Sequence, residues 1–216
     1  MAGFIRARSA EQKERRVAEI KAAAAAQFAT RPYHEITLTT IADGLSWSRA
    51  NLYKYVTTKE EIFLALAADE RDAYYAGLLA AFPAGQPARP TPHAAAEAWA
   101  DVADAHRAWF RLHDLLFTII EANASVERLV EFKRGYYEQL PTLTARLSDA
   151  LGVEPTGVEP LMNAVTYHAV GVVTSCCAMP KVREALAQLG VERAPVDFRA
   201  TMCDFIGMCL AHYAHE

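Results

Sequence analysis

Long apolar runs are missing from this 216-residue sequence. No stretch approaches the roughly 18 uninterrupted apolar residues of a membrane-spanning helix. The opening MAGFIRARSAEQKERR lacks the apolar middle of a signal peptide. Both absences predict a cytoplasmic protein with no membrane partner. Cysteine is scarce, limited to Cys176, Cys177, Cys203 and Cys209, all in apolar helical contexts where reduced thiols behave as small hydrophobes. Neither CxxC nor HxxxH spacing occurs, and adjacent Cys176 and Cys177 are poorly placed to turn both thiolates onto one metal. A metal or redox sensor built from His168, Cys176 and Cys177 is therefore the weaker alternative, and no metal site is expected. Sustained period-two alternation is also absent, which excludes a sizeable sheet. P-loop, GxSxG, HExxH and dinucleotide-binding glycine patterns are all lacking. Asp101 and Asp104 share a helix face with little apolar around them and read as solvated. No catalytic residue and no cofactor is expected.

What remains is helical and unevenly charged. The chain is 52% hydrophobic, with glycine and proline at ten each. It is long enough for one or two domains. Residues 1–60 hold ten Lys and Arg against six Asp and Glu, whereas residues 61–216 hold twelve against twenty. A basic head on an acidic body fits that division, and the two parts are expected at 1–60 and 61–216.

Residues 37–61, TLTTIADGLSWSRANLYKYVTTKEE, organise the head. Thr37 can cap a helix carrying Leu38, Ile41 and Ala42 inward. Gly44–Trp47 interrupts it. Ser48 is a second cap candidate, opening a helix with Leu52, Tyr55 and Val56 at helical spacing. Thr58 with Glu61 reads as a capping box for a third helix, expected from Lys59 to about Ala81. Two short helices joined by a tight turn form a helix-turn-helix unit. A helix from Ser9 to Thr30, with Val17, Ile20, Ala24 and Phe28 on one face, supports the unit from behind. Residues 1–8 are expected to be disordered, and Tyr33 to plug the small core.

The side chains suit duplex DNA. Arg49, Ala50 and Asn51 begin the second helix, where a groove-binding helix presents its base-reading groups. Arg49 can pair with a guanine edge, and Asn51 with an adenine edge or a phosphate. Tyr53 and Lys54 follow. Thr37 and Thr39 are placed to grip the backbone on the other flank.

Taken as a set, Thr37, Ile41-Ala42, Leu52-Tyr53, Tyr55, Lys59 and Glu60-Glu61 resemble the DNA-binding signature of TetR-type transcriptional regulators. The resemblance covers roughly residues 9–66. Ser46 stands where that family usually has glycine, and Val56 where Phe is common; Ser46 must take a left-handed conformation or shift the turn. The resemblance implies phosphate contacts from Tyr55 and Lys59, a homodimer paired through the C-terminal helices, and a double-stranded DNA operator. It also implies repression relieved by a small-molecule effector bound in the body.

Beyond the proline-rich loop FPAGQPARPTP, helices are expected at about 93–109, 110–122, 125–151, 156–178, 181–190 and 196–214. The whole is all-α: an N-terminal three-helix DNA-binding domain and a C-terminal helical bundle for ligand binding and dimerisation. The last helix is read with Phe198, Met202, Phe205, Cys209 and Tyr213 on one face, Ile206 adjacent. The helix around Leu161–Ala178 is apolar nearly all round, as interface helices are. Candidate ligand-lining residues are Trp99, Trp109, Phe110, His113, Phe117, Glu121, Tyr136, Tyr137, Tyr167 and His168. Phe110, His113, Phe117 and Glu121 fall at helical spacing on one face, with Trp99 and Trp109 on the preceding helix. Such a wall suits an apolar ligand with a polar or cationic group. A helical ligand carrier or bundle enzyme is the remaining alternative.

Overall fold

The computed structural model describes residues 2–213 except 177–179 and 193, with residues 2–10 and Pro180 described by backbone alone. Cys177 falls outside the described residues. All regular structure among the described residues is helical, in the order α1 (Ala2–Thr30), a 3₁₀ turn (Tyr33–Glu35), α2 (Leu38–Asp43), α3 (Arg49–Leu52) and α4 (Lys59–Ala81). Next come α5 (Pro92–Ala105), α6 (Arg107–Leu115), a π-helical turn (Leu116–Ile120), α7 (Glu121–Asn123) and α8 (Val126–Leu151). The order closes with α9 (Pro155–Cys176), α10 (Pro180–Gln188) and α11 (Phe198–Tyr213). Among the described residues no single helix is long and apolar enough to cross a membrane.

Two compact units divide the chain, one from Met1–Asp69 with Leu115–Arg134, the other from Glu70–Asp114 with Gly135–Glu216. The first is built on an aromatic knot. Phe28 of α1 and Tyr33 both set their rings edge-on to Phe63 of α4, at 5.4 and 4.9 Å. Ile20, Ala24 and Phe28 are buried along α1, as the spacing predicts, with Ile36, Ile41 and Leu52 beside them at zero exposure or close to it. Helix α1 starts at Ala2, so the helix expected from Ser9 begins seven residues earlier and residues 2–8, expected to be disordered, are helical. Nothing between Ala2 and Thr30 stops a helix: proline is absent, and alanine, arginine and glutamate are strong helix formers.

The second unit packs α11 against α5 and α9. Its core joins Tyr74, Phe82, Trp99 and Phe110 to the apolar side of α9, from Val158 to Val173. The buried stripe of α11 is Phe198, Met202, Ile206 and Leu210. It lies one residue away from the expected Phe205–Cys209–Tyr213 stripe, because Phe205 is half-buried and stacks its ring on His168 at 3.8 Å. On α9 the residues from Val158 to Val173 that face the core are buried, while Tyr167 is 59% exposed. The α5–α6 break falls at His106, with φ −116° and ψ 34°, rather than at Trp109, so Trp109 and Phe110 share α6.

Candidate nucleic-acid interface

Helix α2 starts on a reciprocal cap. Thr37 Oγ1 accepts from the Thr40 N–H at 3.1 Å, and Thr40 Oγ1 accepts from the Thr37 N–H at 3.0 Å. Two otherwise orphaned donors are thereby satisfied. Gln27 of α1 donates to the Thr40 carbonyl at 2.7 Å and ties α2 to the supporting helix. The turn then passes Ser46 with no positive φ, so this serine avoids the left-handed conformation.

Helix α3 is shorter than its sequence predicts. Ser48 has extended geometry but makes no side-chain cap, and the α-helix covers only Arg49–Leu52. Past Leu52 the N–H groups of Lys54 and Tyr55 bond three residues back, at 3.1 and 2.9 Å, which tightens the chain into turns before Val56. Tyr53, Tyr55 and Val56 are aromatic or β-branched, poor residues for holding an uncapped helix. Leu52, fully buried, pins the short helix from below. Arg49, Ala50, Tyr53 and Lys54 are exposed around it, together with Thr37 at the start of α2; Thr39, Asn51, Tyr55 and Lys59 are half-buried. Arg49 leans on Asp43, Nη2 to Oδ1 at 3.2 Å. A guanine edge would have to compete with that carboxylate.

Trp47 is a part of the unit that sequence reasoning missed. Its indole N–H donates to Glu19 Oε2 at 2.7 Å, its ring lies 5.0 Å beneath the Arg16 guanidinium, and its edge meets Tyr55 at 6.0 Å. Arg16 also donates to Glu19 Oε2 at 2.7 Å. The bond from Trp47, and then that from Arg16, hold the Glu19 carboxyl below its usual range. An aromatic in the turn was the only available signal; its partners lie 28 and 31 residues away.

Helix α4 opens with Thr58 Oγ1 accepting from the Glu61 N–H at 3.3 Å. Glu61 returns to the Thr57 N–H at 3.0 Å, one residue earlier than a capping box requires. Lys59 is half-buried at this helix start. Its ammonium donates to the carbonyls of Tyr33 and Ile36, and burial pulls its pKa below the usual lysine range.

The ligand-lining candidates scatter. Trp99 is fully buried, donating from Nε1 to the Tyr74 hydroxyl at 2.7 Å, and Phe110 packs on Tyr74 and Phe198; both are core. Trp109, His113 and Tyr167 do come together, with ring centres 5.1 Å apart for the first pair and 6.1 Å for the second. His168 stacks on Phe205, and burial lowers its pKa, which favours neutral imidazole. The buried Trp109 Nε1 and His168 Nε2 find no hydrogen-bond partner among the described residues. Tyr137, 65% exposed, sits edge-on to Tyr136. Phe117 and Glu121 belong to the first unit, where Phe117 is 59% exposed and Glu121 accepts from Lys133 Nζ at 2.6 Å. A π turn at Leu116–Ile120 interrupts the regular helical spacing expected for Phe110, His113, Phe117 and Glu121; within it Leu116 and Ile120 are buried and Phe117 is exposed.

Asp101 and Asp104 pair with Arg199 and Arg107 respectively. Among the described residues no three His, Cys, Asp or Glu side chains gather as a metal site. The Cys176 thiol donates to the Val196 carbonyl at 3.6 Å. Cys203 and Cys209 form no disulfide, and burial pushes both above the ordinary thiol range.

Residues 20–66 match the family model described as bacterial regulatory proteins, tetR family. Residues 68–212 match the model described as Tetracyclin repressor-like, C-terminal domain. No curated protein matches the sequence. A helix-turn-helix head capped at Thr37, an all-helical body and two adjoining family matches agree: the chain belongs to the TetR family and is a DNA-binding transcriptional regulator.

Proposed function

We propose that the protein is a cytoplasmic homodimeric repressor that leaves its operator when a small molecule binds the body, and that it catalyses nothing. The observation that carries the DNA half is the exposed set Arg49, Ala50, Tyr53 and Lys54, held around buried Leu52 and flanked by the Thr37 cap. Arg49 and Asn51 read base edges, while Thr37, Thr39, Lys54, Tyr55 and Lys59 hold phosphates. Dimerisation through α9 and α11 is supported by their exposed residues, Tyr167 at 59% and Met208 at 64%, and by the open space above Gly171. An effector site in the body is supported by the Trp109–His113–Tyr167 cluster and by the buried Trp109 Nε1 and His168 Nε2, which have no partner among the described residues, because such atoms cost free energy until something satisfies them.

The test is fluorescence anisotropy on the protein's own upstream DNA against a scrambled duplex, at two salt concentrations. Tight, salt-dependent and sequence-selective binding by a dimer is expected. Equal weak binding to both duplexes, repeated on duplexes selected from a random library, would refute the reading.

A further inference from the structure

A cleft of about 320 Å³ lies within the first compact unit, bordered by α1, the turns after α3, the first half of α4 and the first turns of α8. Its apolar lining includes Ile20, Val56, Ala65, Ala68 and Phe132, of which Ile20 and Phe132 are buried. Tyr55 and Val56, which follow the DNA-reading helix, also line it. None of the effector-lining candidates of the body belongs to it.

The charged groups around the cleft are matched, with one exception. Lys21 Nζ donates to Asp69 Oδ2, and Arg128 Nη1 to Glu131 Oε2 at 2.9 Å. Glu61 accepts from the Thr57 N–H at 3.0 Å and stands in the first turn of α4, where the helix dipole favours a negative charge. Lys13 lines the cleft, is exposed, and has no ion-pair or hydrogen-bond partner among the described residues. An apolar floor with one unmatched cation at its rim suits an amphiphile, whose hydrocarbon tail leaves water while its carboxylate meets the ammonium. At about 30 Å³ for a water-sized group, the cleft holds roughly ten non-hydrogen atoms, the size of a straight-chain carboxylate of about eight carbons.

We propose that this cleft is a small-molecule site in the head, taking a medium-chain carboxylate with its tail on Ile20, Val56, Ala65 and Ala68 and its carboxylate on Lys13. It is separate from the effector site in the body and does not depend on it.

Octanoate and octanol are the probes, titrated into the whole chain without DNA and below any micelle-forming concentration. Methyl NMR signals of Val17, Ile20 and Val56 are the readout. Octanoate should shift all three in a saturable way. Lys13→Met should weaken octanoate roughly two- to fivefold and leave octanol unchanged, because octanol has no charge for the ammonium to meet. Ala68→Leu, whose added carbons occupy the floor, should weaken both probes by about tenfold. Head signals that stay in place while octanoate shifts those of Trp109 or Tyr167 would overturn the proposal. So would equal losses of octanoate and octanol in Lys13→Met, or undiminished binding of both by Ala68→Leu. A cleft that ignores octanoate while Ala68→Leu changes the oligomeric state belongs to a protein partner, which overturns it too. Should Ala68→Leu melt below the assay temperature, the wild-type shifts and Lys13→Met, a change at an exposed side chain, still decide the matter.

Discussion

Tyr74→Phe removes one oxygen from the body and should cost far more than its size suggests. Trp99 is fully buried, and its indole N–H donates to the Tyr74 hydroxyl at 2.7 Å. Tyr74 is itself buried, with its ring edge-on to Phe110 at 5.2 Å, so water has no direct route to the bond. Deleting the hydroxyl strands a buried donor, and such a donor costs about 1–3 kcal/mol. The phenyl ring keeps its packing, so the cavity contribution is small. For a chain of this length each kcal/mol lowers Tm by about 2–4 °C, which predicts a fall of about 2–12 °C. Burial pushes the Tyr74 pKa well above its usual value. A group whose folded pKa is raised contributes stability at every pH below its unfolded value, so the loss should be constant from pH 6 to about 9. Thermal unfolding followed by circular dichroism measures it. Trp99→Phe and the double variant complete a cycle, in which a coupling of about 1 kcal/mol is expected between bonded partners. A Tyr74→Phe protein that melts with the wild type, or a cycle that closes without coupling, would refute the account of this bond.

Local geometry sets three more outcomes. Trp47→Phe keeps a ring against Tyr55 but deletes the bond to Glu19, and should weaken operator binding several-fold, with little change in melting; unchanged anisotropy titrations would remove Trp47 from the reading unit. The Glu19 carboxyl is held below its usual range, so this bond persists above the ordinary carboxylate pKa and is lost as pH falls through the depressed value, leaving the effect of Trp47→Phe flat between pH 6 and 8. Gly152→Ala should destabilise by about 1–3 kcal/mol, since Gly152 has φ +69° and an added Cβ would lie 2.7 Å from Arg89 Nη1; a melting curve matching wild type would count against it. With burial raising both thiols, Cys203 and Cys209 should alkylate with iodoacetamide more slowly than a free-thiol peptide at pH 7.5, a deficit that shrinks as pH rises; peptide-like rates by mass spectrometry would revive a thiol-sensing role.

Local chemistry was legible in the sequence, and tertiary partnership was not. The Thr37 cap, the start of α4 at Lys59 and the end of α8 beside Gly152 all come from side chains acting within four residues of themselves. The absence of period-two alternation announced an all-helical chain. The π turn at Leu116–Ile120 had no such announcement, because LFTII carries neither glycine nor proline, and within it Phe117 is exposed. Likewise His106 ends α5 without a breaker residue. The early end of α3 was readable in part: Ser48 is a good cap by type, but here its oxygen meets no backbone N–H, and Tyr53 and Tyr55 beyond Leu52 are aromatic.

The same limit explains why the DNA-facing residues were easier to name than their supports. A four-residue helix cannot hold itself, since the first turn fixes several dihedrals for a single bond. Its orientation has to come from outside, and the chain supplies it at three points: Trp47 on Glu19, Gln27 on the Thr40 carbonyl, and Lys59 on the carbonyls of Tyr33 and Ile36. Two of the three end on main-chain oxygens, which every residue carries and which therefore leave no mark in the sequence. The third ends on one glutamate among many on a charged helix. Exposed side chains at the front of the unit can be guessed from type, because DNA selects for charge and hydrogen-bonding shape. The supports are selected for distance alone, and only coordinates show that.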